Sequence, residues 1–179
     1  ALDKLGANIS FSSFGNSTTV YVTTLTKNVD ATLAILEEML YEPAFNSENF
    51  KIIKDNHDQA LYSLDKNHNA VLSKAFTALV YDQSILGTHP MGYHKTIGKI
   101  GLDDVKDFYN KYYAPELTSL TIVGNMELSE LKPKLQFLNK WQKKNVAVPQ
   151  ISTEFTPAGK TTIYLINKYG ATQSRIMVG

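Results

Sequence analysis

The stretch Asp103–Asn125 reads DDVKDFYNKYYAPELTSLTIVGN, and its patterning decides the fold class. Val105, Phe108, Tyr109 and Tyr112 recur at i, i+3, i+4 and i+7, one apolar stripe on a helix. Asp103 and Asp104 occupy the first turn, where carboxylates meet the positive end of the helix dipole. Pro115 ends the helix, because the residue before a proline is pushed out of the helical region. Ser119 to Val123 is rich in β-branched residues and reads as a strand. Gly124-Asn125 closes it as a turn. A helix feeding a strand in this way points to an α+β chain.

Outward from this unit, the pattern repeats in both directions. Upstream, Ile9 and Phe11 alternate with polar residues, Phe14-Gly15-Asn16-Ser17 supplies turn chemistry, and Thr19–Leu25 is β-branched. The pair reads as an antiparallel hairpin. Asn28 is positioned to cap a helix with a stripe of Val29, Leu33, Leu36 and Leu40, stopped by Pro43. Ser47-Glu48 opens a second helix whose stripe is Phe50, Ile53, His57, Ala60/Leu61 and Leu64. Asn67–Asn69 break it, and a third helix carries Leu72, Ala75, Phe76 and Leu79 to Tyr81. The Gly- and Pro-bearing stretch Asp82–Ile100 marks a subdomain boundary.

Downstream, Ser129 begins a helix with Leu131, Leu135 and Leu138 inward and Pro133 near its first turn. Lys143–Thr156 reads as a linker, and Thr161–Asn167 and Gln173–Val178 as two further strands. The expected architecture is an α+β fold: a two-layer arrangement of antiparallel sheet with helices on one face. It divides into residues 1–100 and 101–179. Both ends look cut, as if the chain were an internal piece of a longer polypeptide.

The bulk properties exclude several classes. The 179 residues are 43% hydrophobic and 20% charged, an ordinary globular composition. The net charge of +1 lacks the electrostatic drive of a nucleic-acid binder. There is no cysteine, hence neither a disulfide nor a thiolate metal site. No apolar run approaches the length needed to span a bilayer.

Several motifs, in order, resemble the M16 family of pitrilysin-, insulinase- and mitochondrial-processing-peptidase-like zinc peptidases. Asp104-Val105-x-x-Phe108-Tyr109-x-x-Tyr112-Tyr113-x-Pro115 followed by Ile122-Val123-Gly124-Asn125 is similar to a family helix–strand segment, with Asn125 where Asp is usual. LGANISFSSFGNSTTVYV (5–22) is similar to the segment that follows the family's zinc motif. LEEMLYEPAF (36–45), GTHPMG (87–92), Leu138-x-x-Trp141 and GATQSRIMVG (170–179) resemble further family signatures.

The resemblance implies zinc held by H-x-x-E-H on one helix, with a glutamate from a later helix as third ligand. H-x-x-E-H is absent here. Counting without gaps from Pro43-Ala44-Phe45 puts the third-ligand position on Ala60, beside Gln59, and a supporting acid on Ile53. None is a carboxylate. The segment therefore resembles the non-catalytic copy of the M16 unit. No catalytic, cofactor-binding or metal-ligating residue is assigned to it, and zinc is expected in a partner lobe.

The expected partners are a catalytic M16 lobe or subunit and an unfolded or short peptide, with self-association through strand edges. The parent is then a zinc metalloendopeptidase and this segment alone inactive. The alternative is an M16-like structural or assembly subunit without peptidase activity. A periplasmic or other extracytoplasmic location is preferred.

The remaining motifs read structurally. His57 lies on an apolar stripe and suits a half-buried histidine with a local hydrogen bond. His89 and His94 flank Pro90 and Gly92 and suit turn organisation, and His68 suits a surface loop. Ala158-Gly159-Lys160-Thr161 ends like a phosphate loop, but lacks the earlier glycine and precedes a strand-like run.

Overall fold

A computed structural model of the chain describes residues 1–81, 84–148, 150, 159–170 and 172–179. Its elements in order are α1 (Leu2–Leu5), β1 (Asn8–Phe14), β2 (Ser17–Thr23), α2 (Val29–Tyr41), α3 (Ser47–Lys66), α4 (His68–Tyr81), α5 (His94–Ile97), α6 (Leu102–Tyr112) and α7 (Leu128–Lys134). Short 3-10 turns cover Thr26–Asn28, Ile85–Gly87, Pro115–Leu117 and Gln136–Lys140. The fold is α+β with an antiparallel sheet. Chain contacts divide it into two compact units, Ala1–Asn46 with Leu102–Ala147, and Ser47–Gly101 with Val148–Gly179.

In the first unit, β1 and β2 pair antiparallel in the register Ile9↔Val22, Phe11↔Val20 and Phe14↔Ser17. The two-residue turn needs a positive φ, which Gly15 supplies at 61°. Asn28 precedes α2 as expected, yet its side chain does not cap the helix. Instead Asn28 Nδ2 donates to Leu5 O at 2.7 Å and ties α1 to the start of α2.

Thr32 is fully buried on α2. Its hydroxyl donates to Asn28 O at 2.9 Å and lies 2.8 Å from Thr24 Oγ1. Thr32→Val keeps the shape and removes the hydrogen bonds to Asn28 O and Thr24 Oγ1, so it should cost about 1–2 kcal/mol by urea unfolding. A change below about 0.3 kcal/mol would mean that the pair adds nothing net.

The core of this unit gathers around Leu40, Ala114 and Phe137, all buried. Ala114 has the extended backbone (φ −142°, ψ 142°) that Pro115 imposes on its predecessor. The Tyr109 hydroxyl donates to Leu40 O. The Tyr41 hydroxyl donates to Phe137 O at 3.0 Å, and Trp141 Nε1 donates to Tyr113 O at 3.1 Å. Burial pushes the Tyr41, Tyr109 and Tyr113 phenols above their ordinary titration range. The α6 stripe is narrower than its spacing suggests: Tyr109 and Tyr112 pack, while Phe108 is 54% exposed.

Glu116 holds the chain beyond Trp141. Its carboxylate accepts the Lys144 N–H at 2.7 Å. Its own N–H, then those of Lys144, Val146 and Asn145, keep the carboxyl below the usual range, outweighing a smaller desolvation effect.

Ser119–Val123 forms no strand; Leu120, Ile122 and Val123 are exposed. The expected helix from Ser129 is a seven-residue α7 followed by 3-10 turns, and Pro133 lies inside it rather than at its start.

In the second unit, α3 and α4 are separated only by Asn67, where the sequence suggested a three-residue break. The Asn67 side-chain oxygen accepts the N–H groups of Asn69 (2.9 Å) and Ala70 (3.1 Å), a cap that restarts the helix at once. Leu61, 1% exposed, is the fully buried large side chain of α3. Ile53, expected on its inward stripe, is 66% exposed.

Thr161–Asn167 and Gln173–Val178 are also not strands. Their β-branched and aromatic residues fit a pleated surface, but a strand exists only where a neighbour completes its ladder. Among the described residues the sheet is β1 with β2. Part of the expected linker Lys143–Thr156, and Ala158 and Ala171 in the motifs above, lie outside the described residues.

Candidate functional site

The polar chemistry of the second unit lies along α3. Lys54, His57, Asp58, Leu61, Tyr62 and Asp65 recur at three- and four-residue steps and share one side of the helix. Lys54 Nζ donates to Gly98 O at 3.0 Å and to Ile100 O at 2.6 Å. His57 is half-buried, with Nε2 2.9 Å from Met91 O. A carbonyl only accepts, so this nitrogen carries the proton.

Asp58 Oδ1 lies 2.5 Å from His94 Nδ1, and Asp65 Oδ2 lies 3.6 Å from His94 Nε2. The Tyr62 ring stacks against the imidazole, centroids 4.1 Å apart. Lys74 on α4 pairs with Asp65 Oδ1 at 3.2 Å and sits 4.6 Å from the Tyr93 ring centroid. Lys168 Nζ donates to Asp65 O at 2.8 Å.

The strap His89–Ile100 is thus fastened to α3 from end to end. His89 organises its turn, accepting the Met91 N–H at Nδ1 (3.3 Å), and Gly92 adopts φ 68° beside it. His94 does more than its sequence setting suggested, because it faces two carboxylates of α3. The detectable signal was Asp58 and Asp65 seven residues apart, two turns along one side, with Lys54 before them and Tyr62 between them. His68 is exposed at the start of α4.

The family's zinc chemistry does not fit this helix. Ala60 is half-buried and ends at a methyl group, Gln59 is exposed, and Ile53 points into solvent. Among the described residues, no group of three or more His, Asp or Glu side chains is placed to hold a metal ion. Asp58 and Asp65 bracket opposite nitrogens of one imidazole and so cannot converge on one ion.

Residues 1–92 match the sequence model of the Insulinase (Peptidase family M16) family. The chain belongs to peptidase family M16. Residues 99–179 match a second M16 model, described as the peptidase M16 inactive domain. Among curated relatives, the uncharacterized zinc protease YmxG of Bacillus subtilis is 19% identical over 166 residues, 90% of this chain and 41% of the relative. An uncharacterized zinc protease of Rickettsia bellii is 26% identical over 132 residues, 72% of this chain and 31% of the relative.

In structure, the M16 chain resembles a peptidase M16 inactive domain from Pseudomonas fluorescens (TM-score 0.77, 19% identity, 84% of this chain and 37% of that one). It also resembles the first half of the periplasmic protease PqqL from Escherichia coli (TM-score 0.65, 17% identity, 80% and 31%). These likenesses establish the fold. The chain spans less than half the length of the relatives it matches. Among the described residues no helix is long and apolar enough to cross a membrane.

Proposed function

We propose that this chain is part of the catalytically silent lobe of an M16-type zinc-dependent peptidase. In this reading it helps to close a chamber around an unfolded or short peptide, and a partner lobe or subunit carries the zinc and makes the cut. Residues 1–100 end one M16 unit and residues 101–179 begin the next.

The observation that carries the reading is Ala60. A methyl group stands where the third ligand is required, with no carboxylate within a helical turn on that face. The family description of residues 99–179 as an inactive domain supports it. An extracytoplasmic compartment and self-association through the uncharged edges of β1 and β2 accompany the proposal.

Two preparations test it, the purified 179-residue chain and the parent polypeptide with its natural partners. The chain alone should hold no stoichiometric zinc by elemental analysis and should cut no unfolded peptide. Ala60→Glu should change neither, since one ligand cannot replace three. The parent assembly should hold zinc at an H-x-x-E-H motif outside these residues and show chelator-sensitive cleavage. One tightly held zinc on the chain alone would overturn the silent-lobe assignment. A parent assembly with neither motif nor cleavage would make it a structural subunit instead.

A further inference from the structure

The strap contains the residues that run between the two M16 matches, which end at 92 and resume at 99. His94 falls in that interval and is its contact with the carboxylates of α3. Both ring nitrogens face an acid: Nδ1 lies 2.5 Å from Asp58 Oδ1, and Nε2 lies 3.6 Å from Asp65 Oδ2. Nε2 is buried and has no hydrogen-bond partner.

A neutral imidazole has one N–H and one lone pair. With the proton on Nδ1 for Asp58, the Nε2 lone pair faces the Asp65 carboxylate, an acceptor against an acceptor. An imidazolium has two N–H donors and satisfies both acids. The 3.6 Å gap is too long for a hydrogen bond and short enough to close into one.

We propose that His94 makes the strap a proton-operated clasp: a second proton on the ring draws Asp65 onto Nε2 and fastens the crossing between the two M16 segments to α3. The clasp is tight when the ring carries two protons and loosens when it carries one. The groups that face His94 set its surroundings. From α3 these are Asp58, Tyr62 and Asp65. From α4, Lys74 pairs with the other oxygen of Asp65, so Oδ2 is the one left for His94. Lys168 binds the Asp65 backbone carbonyl and leaves the carboxylate alone.

Two further ties do not depend on this proton. His57 donates to Met91 O in either charge state, and Lys54 holds the carbonyls of Gly98 and Ile100. They keep the strap in place while His94 changes its grip. The proposal rests on residues of the second unit alone and is independent of the silent-lobe reading.

Amide hydrogen exchange of the whole chain, read on peptides covering 89–101, tests it. Rates at about pH 5.5 and about pH 8, either side of the imidazole range, are each corrected for intrinsic exchange. Protection in the strap should be several-fold higher at the lower pH, with α2 peptides as internal control. His94→Gln should remove that difference, and Asp65→Asn should reduce it, since Asp58 still faces the ring. His57→Gln should lower protection at both pH values and keep the difference.

Equal strap protection at the two pH values in the unaltered chain would overturn the clasp, whatever the variants do. So would a His94→Gln chain that keeps the full pH difference. Should His94→Gln fail to fold, an Asp65→Asn chain that keeps the full pH difference overturns the clasp equally, with the imidazole retained.

Discussion

Leu61→Ala should destabilise the second unit by about 3 kcal/mol, the range for a leucine truncated where neighbours cannot collapse into the void. Leu61 is 1% exposed and lies on α3 between Asp58 and Asp65, a turn from each. Its burial fixes which side of α3 turns inward, and therefore where the strap's partners stand. Ile53→Ala on the same helix should cost no more than about 0.5 kcal/mol, because that side chain is already 66% exposed. Urea midpoints at unchanged slope give both numbers. Equal losses from the two truncations would show that α3 is rotated relative to the arrangement described. Leu61→Met, close in volume, should cost about 1 kcal/mol or less.

That contrast also shows where sequence reading succeeds and where it fails. The stripe through Phe50, Ile53, His57, Ala60/Leu61 and Leu64 identified α3, because periodicity of about 3.6 is a property of the helix itself. It placed Ile53 inward because hydrophobicity alone cannot separate an apolar residue that meets a neighbour from one that does not. The hairpin was legible for a similar local reason. Phe14-Gly15-Asn16-Ser17 carries its own turn, and the alternation on either side sets its register. Ser119–Val123, Thr161–Asn167 and Gln173–Val178 have equal β propensity but no such local closure, and no ladder forms along them. A strand is defined by its partner, and nothing in these segments names one.

The candidate site divides along the same line. Ala60 could be read by counting from Pro43-Ala44-Phe45, because the chemistry there is a missing side chain at a fixed spacing. The pairing of His94 with Asp58 and Asp65 joins residues 36 and 29 positions apart. Only the way the strap lies on α3 brings them together. Asn28 makes a similar point on a smaller scale. Its position before α2 was legible, but its side chain is taken by Leu5 O, a partner 23 residues away. Long-range polar partners win where the backbone leaves an acceptor within reach.

Trp141→Ala should cost about 3 kcal/mol in the first unit, and Trp141→Phe about 1 kcal/mol. The indole does two separable things. Its ring meets Tyr41 edge to face, centroids 6.4 Å apart at 87°, a favoured aromatic geometry. Its Nε1 donates to Tyr113 O, which follows the end of α6. Phenylalanine keeps most of the first and loses the second, so the difference between the variants isolates the ring. The Tyr41 hydroxyl is bound to Phe137 O, so losing the indole also loosens a buried turn beneath it. Trp141 is the only tryptophan in the chain, so unfolding must be followed by circular dichroism rather than by its fluorescence. If Trp141→Phe proves as damaging as Trp141→Ala, the hydrogen bond to Tyr113 carries the site and the ring contact does not. If both cost under about 0.5 kcal/mol, the Trp141 contact adds nothing to the first unit, and the core there rests on Leu40, Ala114 and Phe137 alone.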